Sequence, residues 1–227
     1  MDRHEHAARR SGRVTASIAR EIIRRTGTPE ANHKVWERIA RTLWLADNSD
    51  FTVETTGARA HGHRVEPITI AHLWERHPEM EVEAAPFIEG EKIDLSHVPE
   101  LVPYAHFLGC SPDALGLQDG RIIAGIEAKS PVVESVFTDY ASWCSRGEVP
   151  PEHKDQVFFS MLLLKRDWFF VAQHAGKYCE AFAAYSSPAF RMWRAMAVPQ
   201  LVAFLKFYAD GEVTEKTKLS KSIIDAI

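Results

Sequence analysis

Gly109-Cys-Ser-Pro-Asp113, then thirteen residues, then Glu127-Ala-Lys129: the reading of this chain turns on that stretch. Arg121-Ile-Ile-Ala-Gly-Ile-Glu-Ala-Lys129 is rich in β-branched residues and reads as a strand. Side chains alternate along a strand, so Glu127 and Lys129 share one face. Ile122, Ala124, Ile126 and Ala128 share the other, toward a core. Asp113 to Leu117 reads as the preceding strand, and Asp119-Gly120 carries a hairpin signal. A two-residue turn there pairs Asp113 with Ile126, on the wrong face. A three-residue loop, Gln118 to Gly120, pairs Asp113 with Gly125. It makes Asp113 and Glu127 diagonal neighbours on one face, roughly 7–8 Å apart. We expect the three-residue loop, with Gly125 leaving room for an ion. Two close carboxylates suit a hard cation such as Mg²⁺, with oxygen ligands at about 2.1 Å. A lysine on the same face can hold or activate a water beside a scissile phosphate.

Composition narrows the class. With 227 residues, 45% hydrophobic and 26% charged, the chain reads as one globular unit with an ample core. It lacks an apolar run long enough for a membrane span. Met-Asp-Arg-His-Glu-His at the start is not a secretory signal. Cys110, Cys144 and Cys179 are too widely spaced for a zinc pattern or a disulfide framework, which points to a reducing cytoplasm. The net charge of −4 does not advertise a polyanion binder, but its distribution is uneven. Residues 1–45 hold ten Lys or Arg against five Asp or Glu; residues 79–119 hold one against nine. A basic front can hold phosphates locally whatever the net charge.

Residues 1–11 are polar and read as a flexible start. Ile18 to Arg25 reads as a helix capped by Thr15 or Ser17, ending at Gly27. His33 to Ala46 follows with helical periodicity, broken at Asp47 to Asp50. Trp36 and Trp44 sit at core spacing; Phe51 is a further aromatic near the basic front. Ala58 to His77 reads as a third helix, with a kink or a fresh start near Glu66-Pro67. Expected strands are Glu81 to Ile88, Leu101 to Leu108, Asp113 to Leu117 and Arg121 to Ala128. Helices are expected over Val136 to Cys144 and Glu152 to Leu164. A hairpin turning at Ala175-Gly176 and a last helix from Ser187-Pro188 to about Tyr208 complete the chain. This order predicts an α/β fold with a central mixed β-sheet flanked by helices. His61 and His63 diverge on a helix and are read as structural or solvent-facing.

Four segments carry a resemblance: Arg13-Val-Thr-Ala-Ser17; Gly62-His-Arg-Val-Glu66-Pro67; the Asp113 and Glu127-Ala-Lys129 pair; and His153-Lys-Asp-Gln156 opening an apolar helix. Together they resemble the lambda-exonuclease-type viral recombinases of the PD-(D/E)xK nuclease superfamily. The resemblance implies a single nuclease domain over 1–227 with a restriction-endonuclease-like core. Residues 12–80 would form its helical DNA-end-binding part and 81–210 its catalytic sheet and helices. It further implies that Asp113, Glu127 and the Ala128 carbonyl bind Mg²⁺, with Mn²⁺ as a substitute. Glu66 would bind a second or shared metal through water, Lys129 would position the attacking water, and Gln156 would orient Lys129 or the nucleophile. Arg13 and Ser17 would hold a DNA 5′-phosphate. The activity implied is 5′-to-3′ digestion of one strand of linear duplex DNA, leaving 3′ single strands for recombination by annealing. Assembly as a trimeric ring, a single-strand annealing partner, and a bacterial or phage-infected cytoplasm are implied with it. Three alternatives stay open: a restriction- or repair-type endonuclease sharing the same residues, a catalytically silent DNA-binding or assembly protein, and a structural hairpin with no nucleic-acid role.

Overall fold

The computed structural model describes residues 9–23, 29–46 and 57–224. The readings made on residues 1–8, Gly27, Asp47 to Asp50, Phe51 and the Trp44 side chain lie outside what is described. In chain order the elements are α1 (Ala16–Ile23), α2 (Pro29–Ala46), α3 (Gly57–Arg76), β1 (Glu81–Ala84) and β2 (Ile88–Glu89). Two 3₁₀ segments follow, Gly90–Lys92 and Pro99–Phe107, then β3 (Gly109–Cys110), β4 (Ala114–Gln118) and β5 (Arg121–Lys129). The rest is α4 (Glu134–Cys144), α5 (Pro151–Leu164), β6 (Asp167–His174), β7 (Lys177–Ala183) and α6 (Pro188–Ile224).

β5 is the middle strand of a five-stranded sheet ordered β1-β4-β5-β6-β7. It pairs antiparallel with β4 and parallel with β6, so the sheet is mixed, as the element order predicts. A parallel pair needs a long crossover, and α4 with α5 supplies it. The alternation along β5 assigns its two faces. Ile126 and Ala128 join Leu73, Met80, Ala114 and Val171 in a small core beneath α3. On the opposite face Gly125 sits beside Trp168, Glu127 beside Phe170 and Lys129 beside Ala172. That face belongs to the larger core, closed by α1, α4, α5 and α6. Trp36 of α2 meets Phe204 edge-on at 5.8 Å, as its core spacing predicts.

The β4–β5 hairpin departs from expectation in a way that matters. Its turn is the two-residue one, with Asp119 and Gly120 both at positive φ (51° and 70°). The register nonetheless places Ala114 opposite Ile126, because a bulge follows Gly116: Gly116 faces Ala124 while Leu117 faces Ile122. Ile123 is the extra residue. A bulge shifts register by one, and so does here what the three-residue loop was invoked to do. The Asp113 N–H donates to the Ile126 carbonyl (3.0 Å), so Asp113 sits beside Glu127 without that loop. Gly125 has a different purpose from the one expected. A Cβ there would lie 2.2 Å from the Trp168 ring; the missing side chain makes room for an indole.

Other boundaries shift for local reasons. Leu101 to Leu108 is not a strand; Pro99 opens a 3₁₀ segment there and Pro103 lies inside it. Proline has no N–H to give a ladder. The strand expected over Glu81 to Ile88 stops at Ala84, ahead of Pro86. α3 continues through Pro67 as one helix, and α6 runs beyond Tyr208 to Ile224. Thr15 caps α1: its carbonyl accepts the N–H groups of Ile18 (3.0 Å) and Ala19 (2.8 Å). Ser17 is therefore inside the first turn, not at the cap. The segment before α1 is tied to the 107–109 region by Val14 N–H to the Phe107 carbonyl (2.7 Å) and Gly109 N–H to the Val14 carbonyl (3.1 Å).

Replacing Gly125 by alanine tests the indole contact. Overpacking of a filled core costs about 1–3 kcal/mol. Urea denaturation of Gly125→Ala should show a loss in that range, and an unchanged midpoint would mean that Trp168 moves freely aside.

Candidate active site

Glu127 sets the geometry. Its side chain is 2% exposed, on a strand face otherwise given to core residues. A buried carboxylate needs partners, and two side chains provide them through one atom. Oε1 accepts from Lys129 Nζ, two residues along the same strand face, and from Gln156 Nε2 at 2.5 Å. Gln156 stands in the second turn of α5, whose apolar face packs on the sheet, so the helix delivers it to the strand. Asp113 closes the other side: its Oδ2 accepts the backbone N–H of Ala128 at 2.7 Å. Glu66 approaches from α3, on the opposite face, with its Oε2 3.9 Å from His63 Nδ1.

The charges feel one another. Burial first, then the Asp113 charge, raises the Glu66 carboxyl from 4.5 to about 7, against the pull of Lys129. Burial likewise raises Glu127 to about 7; Lys129 opposes it, while Asp113 and Glu66 add to it. Asp113 is also pushed up by burial, against Lys129, the Ala128 N–H and Arg10. Desolvation alone would drive the Lys129 ammonium down, but Glu127 and Asp113 outweigh it and hold it above its usual value. Three crowded carboxylates against one lysine leave an excess of negative charge in a low-dielectric place.

That excess, with oxygen as the donor atom, fits a hard divalent cation. Among the described residues no three His, Cys, Asp or Glu side chains form a compact ligand cluster. Asp113 and Glu127 would thus be the direct protein ligands, with water and substrate oxygens filling the sphere. This is how Mg²⁺ is ordinarily held.

Arg13 and Ser17 stand apart from this group. The Arg13 guanidinium forks onto Glu91 (2.6 and 3.0 Å) and donates to the carbonyls of His106 (2.8 Å) and Leu108 (3.3 Å). Its grip holds the Glu91 carboxyl below the usual range. Ser17 is exposed, its Oγ 3.3 Å from Thr15 Oγ1. Within this basic run, the residue whose field reaches Asp113 is Arg10, three places earlier. Sequence spacing offered no way to choose between them. Tyr140 and His153 were also missed as neighbours. The His153 Nε2 and Tyr140 hydroxyl are 2.8 Å apart, and Tyr140 lies within the fields of Lys129 and Arg20. No local pattern signals that pair. His63 is exposed, in keeping with its solvent-facing assignment. An open groove of about 470 Å³, lined by Glu100, Arg191, Arg194, Val198 and Val202, contains none of these site residues.

A mixed sheet flanked by helices, with carboxylates and a lysine gathered at the end of its middle strand, defines an α/β protein with a buried acidic site. Comparison with known proteins narrows it. The family model of the YqaJ-like viral recombinase domain matches residues 5–164, and the chain belongs to that family. The fold is shared with the alkaline exonuclease LHK-Exo from Laribacter hongkongensis: TM-score 0.66, 20% identity, 96% of this chain and 98% of that one. The structure of LHK-Exo in complex with dAMP superimposes with a TM-score of 0.69 at the same identity and coverage. No curated protein matches the sequence significantly. Among the described residues no helix is long and apolar enough to cross a membrane.

The raised carboxyls make a signed prediction. Folded Glu66 and Glu127 hold protons up to about pH 7, where the unfolded chain releases them near 4.5. The folded state binds more protons in that window, so stability falls as pH rises through it. Glu91, held low by its ion pair, titrates below the window. Chelator-treated protein should therefore show a urea midpoint that declines from pH 4.5 to 7. Glu66→Gln should flatten the decline, and added Mg²⁺ should reduce it. A midpoint that climbs across this range would contradict the crowding of carboxylates.

Proposed function

We propose that the chain is a Mg²⁺-dependent 5′-to-3′ exonuclease acting on linear double-stranded DNA. Mn²⁺ substitutes for Mg²⁺, and the products are 3′ single strands for recombination by annealing. The observation that carries this reading is the convergence of Asp113, Glu127, Lys129 and Gln156 at one strand end. Membership of a viral recombinase family and the fold shared with an alkaline exonuclease support it. The wider proposal includes a homotrimeric ring, a single-strand annealing partner and a cytoplasmic setting.

Each residue has a task. Asp113 and Glu127 hold the cation, with the Ala128 carbonyl as a third oxygen and Glu66 acting through water. When bound, the cation polarises the phosphoryl oxygen and lowers the pKa of a water. Lys129 Nζ, still an ammonium at neutral pH because its carboxylate partners hold it high, directs the water in line. It also offsets negative charge as the phosphorus–oxygen bond breaks. Gln156 fixes the Glu127 carboxylate and leaves the ammonium a single preferred position. Arg13 and Ser17, joined by Arg10, bind the terminal phosphate; Arg13 must release Glu91 to do so.

Digestion of linear duplex bearing or lacking a 5′-phosphate on each end, beside a closed circular plasmid, tests activity and polarity together. We expect the phosphorylated strand to be shortened from its 5′ end only with Mg²⁺ present, and the circle to survive. Cleavage of the circle would favour the endonuclease reading; intact linear DNA under all conditions would favour a binding or assembly protein. Asp113→Ala, Glu127→Ala and Lys129→Ala should each lower the rate by about a hundredfold or more, with circular dichroism unchanged. A Lys129→Ala protein as fast as the parent would remove the catalytic assignment.

End recognition has its own test. Arg10→Ala should shrink the preference for 5′-phosphorylated ends more than Arg13→Ala does. Arg13→Ala should instead lower the unfolding midpoint, since its guanidinium ties the 106–108 carbonyls to Glu91. The reverse order of effects would return the phosphate to Arg13.

A further inference from the structure

Two thiols lie between α4 and the edge of the sheet. Cys144 is the last residue of α4, and Cys179 lies on β7, the edge strand, directly across from Ala172. α4 packs against β6 and β7 on this face. Cys144 is buried, Cys179 is partly exposed, and both are free thiols. Cys144 belongs to the larger core and Cys179 packs against that same core, where the two thiols interact.

We propose that Cys144 and Cys179 form a redox-modification site: a reversible intramolecular disulfide, closed by a peroxide, that clasps α4 to the edge of the sheet. Nothing in the proposal depends on the reading of the carboxylate site.

The two sulfurs have unequal roles. Cys179 accepts from the Cys144 thiol and from the backbone N–H of Ala172, which together pull its pKa down. It is also the less buried member of the pair. Low thiolate pKa and access are what make a cysteine attack an oxidant. Cys144 is held protonated by donating to Cys179 and by burial, and waits beside it. The chemistry balances with hydrogen peroxide as the two-electron oxidant. The Cys179 thiolate attacks one peroxide oxygen; the O–O bond breaks, hydroxide leaves and takes up a proton as water, and Cys179 becomes a sulfenic acid. Cys144 sulfur, losing its proton, attacks the Cys179 sulfur. The S–O bond breaks and a second water leaves. Two thiols and one peroxide give one disulfide and two waters.

Position favours closure. The sulfurs must draw together to the ordinary S–S length of about 2 Å. Cys144 ends its helix, and Gly147, at φ 69°, turns the chain three residues later. The backbone can therefore adjust beyond the helix without unwinding it. Cys110, the third cysteine, is fully buried elsewhere, and burial pushes its thiol up to about 12. It cannot compete. The helix so clasped carries Tyr140, one turn before Cys144, which meets His153 beside the Lys129 strand end.

Treatment of the full chain with hydrogen peroxide at neutral pH, followed by thiol counting and non-reducing peptide mass analysis, tests the site. Three thiols should fall to one, with a Cys144–Cys179 peptide that dithiothreitol separates. Cys110→Ser should leave the linkage intact. Cys144→Ser should stop Cys179 at the sulfenic acid, trapped by a dimedone probe, and Cys179→Ser should abolish both products. Hydrogen exchange of Tyr140 to Cys144 should slow in the oxidised protein and recover on reduction. Retention of three thiols, or oxidation only between separate molecules, would overturn the proposal. Linkage with unchanged exchange in α4 would overturn the clasp.

Discussion

A carboxylate buried in the interior of a sheet is the constraint around which this molecule is arranged. Glu127 sits on the same face as Trp168 and Phe170, with almost no access to solvent. An ionised group in such a place is unfavourable unless it is hydrogen-bonded and balanced. Lys129 balances it from its own strand, and Gln156 bonds to it from α5. The consequence reaches beyond the site. α5 must approach β5 with its second turn at the strand's end, and the crossover between β5 and β6 has to bring it there. The arrangement is strained electrostatically: Asp113 and Glu66 add negative charge to a group already short of solvation. Folding stability is thus set against a repulsion that any neutralising charge at the site would relieve.

The front of the chain obeys a different logic. Its excess of basic residues and the acidic run after residue 79 meet within the same molecule. Arg13 grips Glu91, and Arg9 lies 3.8 Å from Glu89. With the Val14 bridge to Leu108, these contacts hold α1 against the 3₁₀ segment and so above α5. A patch that reads in sequence as a field for a polyanion is thus partly spent in holding the N-terminal helix in place.

What could be read from the sequence follows from what is local. Period-two alternation placed Glu127 and Lys129 together, whereas Gln156 was singled out only by the resemblance carried by His153 to Gln156. The mixed sheet followed from the order of elements. The hairpin register did not, because a single extra residue at Ile123 leaves no mark in composition; only the paired strand shows it. The segment Leu101 to Leu108 misled through its apolar content, although Pro99 and Pro103 were the better guides. Arg10 and Arg13 look alike in a basic run, and only folding tells the one that grips Glu91 from the one whose field reaches Asp113. Tyr140 and His153 meet across a loop, a relation that no spacing rule encodes.

The bulge at Ile123 bears on which changes in chain length this protein can accept. Every side chain of β5 beyond it, Glu127 and Lys129 included, faces as it does because one residue is supernumerary. Loss of one residue between Leu117 and Ile123 would exchange the two faces of the strand, sending the lysine under α3 and an isoleucine toward α5. Loss of two would restore parity. Lineages of this domain should therefore vary the length of this hairpin in even steps, or keep it constant.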